Sequence, residues 1–269
     1  MEINIIPKFL DEAVTPVAQR AGNTLSSIWG IVFGGIDIYA EKTQIKRVHA
    51  LNQFKEELEQ AVASIPEENI IEPPLHIVGP SLEASKYYFE NDKLRRMFTK
   101  LIAASFNKET ISNAHPSFVE IIKQLSPLDA INLYLFQERE ALPIAHYKYI
   151  TNRGGSITFK TNVFLESTQN MDVDLNSTSI SNLNRLGLIS ISYSEQLQLK
   201  ELYEKFSTAP FYKNELQEVK RNIPNININN SETVNESAEE RPPYLDIFIT
   251  NGIASLTPLG KSFIRTCIK

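Results

Sequence analysis

Val48, Leu51, Phe54, Leu58, Ala61 and Ile65 recur at steps of three and four, the spacing of a helix that buries one face. Charged Lys55, Glu56, Glu57 and Glu59 fill the other face, and Pro66 marks the end. The period returns after Asn91 in Leu94, Met97, Phe98, Leu101, Ile102 and Ser105, while Lys93, Arg95, Arg96 and Lys100 lie mostly off it. This second helix is therefore predicted to carry a basic outer side. Such stripes need apolar partners. A 269-residue chain with 42% hydrophobic and 22% charged residues supplies them, in one large domain or two smaller ones. The expectation is a mainly α (α+β) fold.

Other N-terminal signals are local. Asp11 is placed to cap a short helix ending near Gly22, with Asn23 or Thr24 starting the next. Pro73-Pro74 and Gly79-Pro80 bracket a predicted extended piece, Leu75–Val78, because residues before proline avoid the helical region. Pro80 then suits the first turn of a helix running to Phe89. Ile28–Ile36 is the most apolar run and stops at Asp37, short of the ~20 residues that span a bilayer. It is expected to be buried.

Polarity rises between Thr110 and Ala114, which places a boundary near residue 112. His115-Pro116 restarts a helix through Phe118, Ile121, Ile122 and Leu125. Ser126-Pro127-Leu128-Asp129 then combines a capping serine, a proline at the first helical position and an acid three residues after the cap. Ile144–Ile150 and Ser156–Leu165 flank Asn152-Arg153-Gly154-Gly155 and predict a hairpin. Thr178–Leu188 reads as a helix with Gly187 as its left-handed stop. The strand Ile189–Tyr193, helical stretches at Leu199–Phe206 and Phe211–Val219, and a strand at Tyr244–Thr250 follow. Asn222–Pro243, rich in Asn, Ser and Glu, is expected to be a disordered loop. Ile253–Leu256 predicts a further strand, and Thr257-Pro258 caps a last helix carrying Leu259, Phe263 and Ile264.

Chemistry is hard to find. His49, His76, His115 and His146 are widely separated and lack metal-ligand spacing. There is no glycine-flanked serine elbow, and Gly34-Gly35 and Gly154-Gly155 match neither a phosphate loop nor a dinucleotide fingerprint. Glu56-Glu57, Glu67-Glu68 and Glu239-Glu240 read as solvated charge. Cys267, the single cysteine, excludes an internal disulfide and fits a reducing cytoplasm. The acidic start, with Glu2, Asp11 and Glu12, does not resemble a secretory signal. A net charge of −5 disfavours broad contact with nucleic acid. No catalytic, cofactor-binding or metal residue is nominated, and no cofactor is expected.

The order of a proline-started helix, a helix ending in Leu186-Gly187-Leu188-Ile189, a strand, a return strand and Leu256-Thr257-Pro258-Leu259-Gly260-Lys261 is similar to winged-helix domains. Residues 1–112 are accordingly expected to form a helical domain, and residues 113–269 a winged-helix-like domain with a small antiparallel sheet and the loop at 222–243. In DNA-binding members the helix before the first wing strand enters the major groove. Here that stretch, Ser177–Leu186, offers only Arg185 as a positive charge, so a protein-contacting or structural role is expected.

Ile31–Ile36 with Ala40-Glu41-Lys42, Phe54–Leu58, Ile65-Pro66, Pro73 and Ile77–Pro80 resemble the abortive infection alpha family of bacterial proteins. So do His115–Ala130, Leu183–Ile189 and Leu256–Phe263, and together these motifs span nearly the whole chain apart from the Asn-rich loop. The resemblance implies phage defence by sacrificing or arresting the infected cell, and it carries over no catalytic or binding residue. The resulting expectation is a cytoplasmic, non-enzymatic defence protein with a phage or host protein as partner, and with self-association through Val48–Ile65 as a secondary expectation. The alternatives are a winged-helix DNA-binding regulator and a membrane-active effector using Ile28–Ile36 beside Lys42, Lys46 and Arg47. An enzyme whose site is assembled from distant residues is a further alternative.

Overall fold

The computed structural model describes residues 9–34, 42–223 and 243–269. The described part is mainly helical with one small antiparallel sheet. Contacts divide the chain into two compact units: unit 1 comprises residues up to Gln137, Leu186–Leu188 and Thr257–Lys269, and unit 2 comprises Glu138–Arg185 and Ile189–Leu256.

Unit 1 contains α1 (Pro16–Phe33), α2 (Lys42–Ala63), α3 (Leu75–Ser85), α4 (Asp92–Ser105), α5 (Ser117–Lys123), α6 (Pro127–Leu135) and, from the far end of the sequence, α10 (Pro258–Cys267). Helices α5 and α6, which follow the expected boundary near residue 112, thus belong with the N-terminal helices. The central element is α4, which touches α2, α3, α5, α6 and α10. Leu51, Phe54 and Leu58 of the sequence stripe, together with Ile65, are buried inside the unit. Trp29 lies 4.4 Å from Phe33 and 5.3 Å from Phe54, centroid to centroid, and Phe33 meets Phe89 edge-on at 6.3 Å. Each such ring removes a large apolar area from water and adds a favourable edge or offset contact.

Two local expectations differ from what forms. The break near Gly22 is absent: α1 runs unbroken from Pro16, capped by Thr15, whose hydroxyl oxygen accepts from the Ala18 N–H. Gly22 is there for clearance, since a Cβ on it would sit 2.1 Å from the Phe9 carbonyl oxygen. Leu75–Val78 is helical rather than extended, and Pro80 lies inside α3. The residue before it is Gly79, so the usual clash between the proline ring and a preceding Cβ does not arise. The expected capping box at Ser126 forms: its oxygen accepts from the Asp129 N–H at 3.1 Å, and Asp129 Oδ2 accepts from the Ser126 N–H at 2.7 Å.

Unit 2 is a sheet in the order β2-β1-β4-β3, built from β1 (Ala141–Thr151), β2 (Ser156–Val163), β3 (Ile189–Ser192) and β4 (Tyr244–Leu256), with α7 (Val173–Arg185), α8 (Glu201–Thr208) and α9 (Pro210–Arg221). The predicted hairpin is β1–β2, turned by Gly154 and Gly155 at φ of 74° and 130°. The two strands predicted at Tyr244–Thr250 and Ile253–Leu256 are one continuous β4, pairing with β1 from Ser255 to Tyr244. Gly252 does not interrupt it; the residue is small because the Tyr193 ring lies against it, 2.5 Å from where a Cβ would be. Helices α8 and α9 cover the face that carries Tyr147 and Tyr149, and Tyr149 is stacked between Phe159 and Tyr244, each at 4.1 Å.

The expected helix α7 starts at Val173, and Gly187 follows it at φ 72°. Since α7 belongs to unit 2 and α10 to unit 1, likeness to a winged helix rests on element order. Of the loop expected at 222–243, residues 224–242 lie outside the described residues.

Among the described glycines of unit 1 the tightest approach is at Gly260, where a Cβ would stand 1.9 Å from the Leu188 carbonyl oxygen. Gly260→Ala should therefore destabilise the protein by about 2–3 kcal/mol, measured as a lower urea midpoint with an unchanged slope.

Candidate functional site

Three polar constellations stand out. The first lies in the seam between α2 and α4. Arg95, expected on an outer face, is only 2% exposed. Its Nε and Nη2 donate to the two Glu57 carboxylate oxygens at 3.1 and 3.0 Å, and Nη1 donates to Asp92 Oδ1 at 2.8 Å and to the Phe89 carbonyl at 3.0 Å. Burial pulls the guanidinium pKa down, but hydrogen bonding and attraction from Glu57 and Asp92 outweigh it and the net shift is upward. Periodicity misassigned Arg95 because its partner Glu57 is 38 residues away. A buried, satisfied ion pair holds structure together and leaves little to offer a ligand.

The next turn of α4 faces a cleft of about 370 Å³ lined by Glu57, Gln60, Ala61, Arg96, Thr99 and Lys100. Arg96 is exposed, with Nε 3.8 Å from Glu57 Oε1. Lys100 is half-buried, and its ammonium donates to the Ile268 carbonyl at the end of α10. Burial, then the neighbouring Arg96, lowers the Lys100 pKa. Lys93, the remaining basic residue singled out in the sequence, sits 4.5 Å over the Tyr134 ring. Cys267 is fully buried, and burial raises its thiol pKa well above the usual value, so the thiolate needed for nucleophilic attack is suppressed.

The second constellation is a cleft of about 560 Å³ lined by Phe9–Ala13, Ala63, Ile65 and Ile70 with Glu59 and Glu67. Glu67 is committed to the backbone, since its Oε1 accepts from the Val14 N–H at 2.8 Å and from the Thr15 N–H, completing the start of α1. Those bonds lower its pKa, the Thr15 backbone most of all. Burial raises the Glu59 pKa, against the pull of Lys55.

The third lies in unit 2. His146 stacks on Tyr193 with centroids 4.2 Å apart, and its buried Nε2 has no hydrogen-bond partner among the described residues. The Tyr193 hydroxyl donates to Asn162 Oδ1 and accepts the Asn162 N–H, both at 2.9 Å. Asn162 Nδ2 donates to Ser181 Oγ at 2.9 Å. These bonds hold Asn162 at φ 52°, a left-handed conformation that asparagine tolerates better than most residues. Burial, then Lys148, lowers the His146 pKa. This cluster was not foreseen, because its members come from β1, the end of β2, α7 and the residue after β3.

The other residues weighed in the sequence do not converge. His49 and His76 are exposed. His115 Nδ1 accepts the Ser117 N–H at 3.1 Å and lies 2.7 Å from Ser117 Oγ at the start of α5. Arg185 donates to Asn182 Oδ1 from Nε and Nη2. Glu239-Glu240 lies outside the described residues, as do Gly35 and Ile36. In the described part of the Ile28–Ile36 run, Trp29 and Phe33 are buried, whereas Ile31 is 82% exposed. Among the described residues no group of three or more His, Cys, Asp or Glu side chains could hold a metal ion. No described helix is long and apolar enough to cross a membrane.

Two measurements check these assignments. Arg95→Met leaves Glu57 without its guanidinium and should cost about 3 kcal/mol of stability; Arg95→Lys should recover little, since a single ammonium cannot close on both oxygens. Denaturant unfolding of the two variants reads both effects. As pH falls below about 6.5, the unfolded chain takes up a proton on His146 before the folded chain does. Protection of the β1 amides from hydrogen exchange should therefore decline on acidification, and His146→Phe should remove that slope.

Comparison with known proteins matches the chain to the family abortive infection alpha over residues 46–267. No curated protein and no solved structure matches the chain. The matched span covers α4 with Arg95, Arg96 and Lys100, all of unit 2, and α10 up to Cys267. With most of its length matched, the chain belongs to the abortive infection alpha family.

Proposed function

We propose that this protein is a non-enzymatic component of bacterial phage defence that acts in the cytoplasm by binding another protein, of phage or host. The observation that carries the reading is the family match across residues 46–267, since abortive infection is a defence in which the infected cell is stopped or lost. Two features support the finer part. Several polar groups serve the architecture, for Arg95 and Glu57 join α2 to α4, Glu67 completes the start of α1, and His115 the start of α5. Large apolar side chains also stand in solvent on both units, including Ile31 and Leu75 on unit 1 and Ile157 and Phe248 on unit 2. Single exposed residues are ordinary, but they are the kind that anchor protein contacts. The DNA-binding alternative draws no support from α7, where Arg185 is engaged by Asn182.

The test is phage plating and host survival with and without the protein at low and high phage dose, followed by cross-linking in infected cells. Protection accompanied by host death at high dose, with a discrete cross-linked protein, is the expected result. Equal plating on both hosts across a broad phage panel would refute the defence role.

A further inference from the structure

The cleft beside Arg96 and Lys100 has more positive charge than the fold uses. Both side chains project from α4 one turn apart, and both line the same cleft of about 370 Å³. Of the nearby carboxylates, Glu57 lines the same cleft but gives both oxygens to Arg95, and Asp92 binds Arg95 as well. Arg96 has only a distant share of Glu57, at 3.8 Å. Lys100 has no carboxylate partner among the described residues and donates to the Ile268 carbonyl instead. An ammonium has three donors, so two remain for a ligand.

Two like charges held a turn apart in a partly desolvated cleft repel each other. An anion placed between them would relieve that repulsion and meet a guanidinium fork on one side and an ammonium on the other, the pairing that favours phosphoryl oxygens. Gln60 adds a neutral amide donor from the α2 wall. The volume falls at the small end of the roughly 300–1,000 Å³ typical of small-molecule sites. The net charge of −5 argues against a long polyanion. We propose that this cleft binds a small molecule carrying a phosphate or diphosphate group, through Arg96 and Lys100. Burial, and then the like charge of Arg96, lowers the Lys100 pKa.

The proposal does not rest on the defence reading and is tested on the purified full chain. Pyrophosphate and inorganic phosphate are titrated calorimetrically at ionic strength matched with potassium chloride, and vesicles of phosphatidylglycerol are assayed by co-sedimentation. Saturable one-to-one binding is expected, tighter for pyrophosphate than for phosphate. Arg96→Ala should weaken it at least about tenfold, the loss of one charge-assisted contact, without changing the melting temperature of the free protein, because Arg96 is exposed. Lys93→Ala, on the same helix but outside the cleft lining, should bind as the parent does. No saturable binding above the chloride control, or equal binding by Arg96→Ala, would overturn the proposal. Binding to vesicles but not to pyrophosphate would overturn the assignment to a small soluble ligand.

Discussion

The fork of Arg95 closed on both oxygens of Glu57 is the constraint around which unit 1 is arranged. A guanidinium sealed from water is tolerated only when its donors are met in good geometry. Here the donors reach three places: the middle of α2, the first turn of α4, and the Phe89 carbonyl in the link from α3 to α4. A bidentate contact specifies rotation as well as distance, so α2 and α4 are held in one register. Leu58 and Phe54 on α2, and Met97, Phe98 and Leu101 on α4, are all buried in the packing so aligned. The apolar contacts provide most of the free energy, and the ion pair ties the two helices together at this one point.

Unit 2 solves a different problem. A small sheet must cover an apolar face, and α8 and α9, inserted between β3 and β4, do so over the rings of Tyr147, Tyr149, Phe159 and Tyr244. Buried and half-buried phenols need acceptors, and these have them: Tyr147 donates to the Phe206 carbonyl, Tyr203 to the Gly252 carbonyl, and the half-buried Tyr149 to Glu215. Burial raises the pKa of both Tyr147 and Tyr149, which keeps the rings neutral. His146 alternates with Tyr147 along β1 and so points to the opposite face, where Tyr193 packs across Gly252.

Much of this was legible where the signal was local. The stripe in α2, the box at Ser126, the turn at Gly154-Gly155 and the cap at Thr257 all depend on residues within a few positions of one another, and each forms. What escaped depends on distant chain. Gly22 read as a helix end because its true reason, the approach of Phe9, is a tertiary one; Gly252, pressed by Tyr193, looked like a strand break for the same cause. Pro80 read as a helix start because a glycine before it can also let a helix continue. The site candidates followed suit: a helical wheel puts Arg95 beside its basic neighbours, and only the position of Glu57 separates the buried cation from the two that line the cleft.

The membership of α10 in unit 1 has a consequence during synthesis. The helices α1 to α6 emerge from the ribosome first, but the side of α4 that meets α10 stays uncovered until the whole stretch from Glu138 to Leu256 has been translated. At typical rates of translation that wait is on the order of ten seconds. Throughout it, the surface that Phe263 and Ile264 will close is open to chaperones or to neighbouring nascent chains. The nascent helical unit is thus nearly complete long before it is sealed, and the order of the gene, as much as the fold, decides how long that exposure lasts.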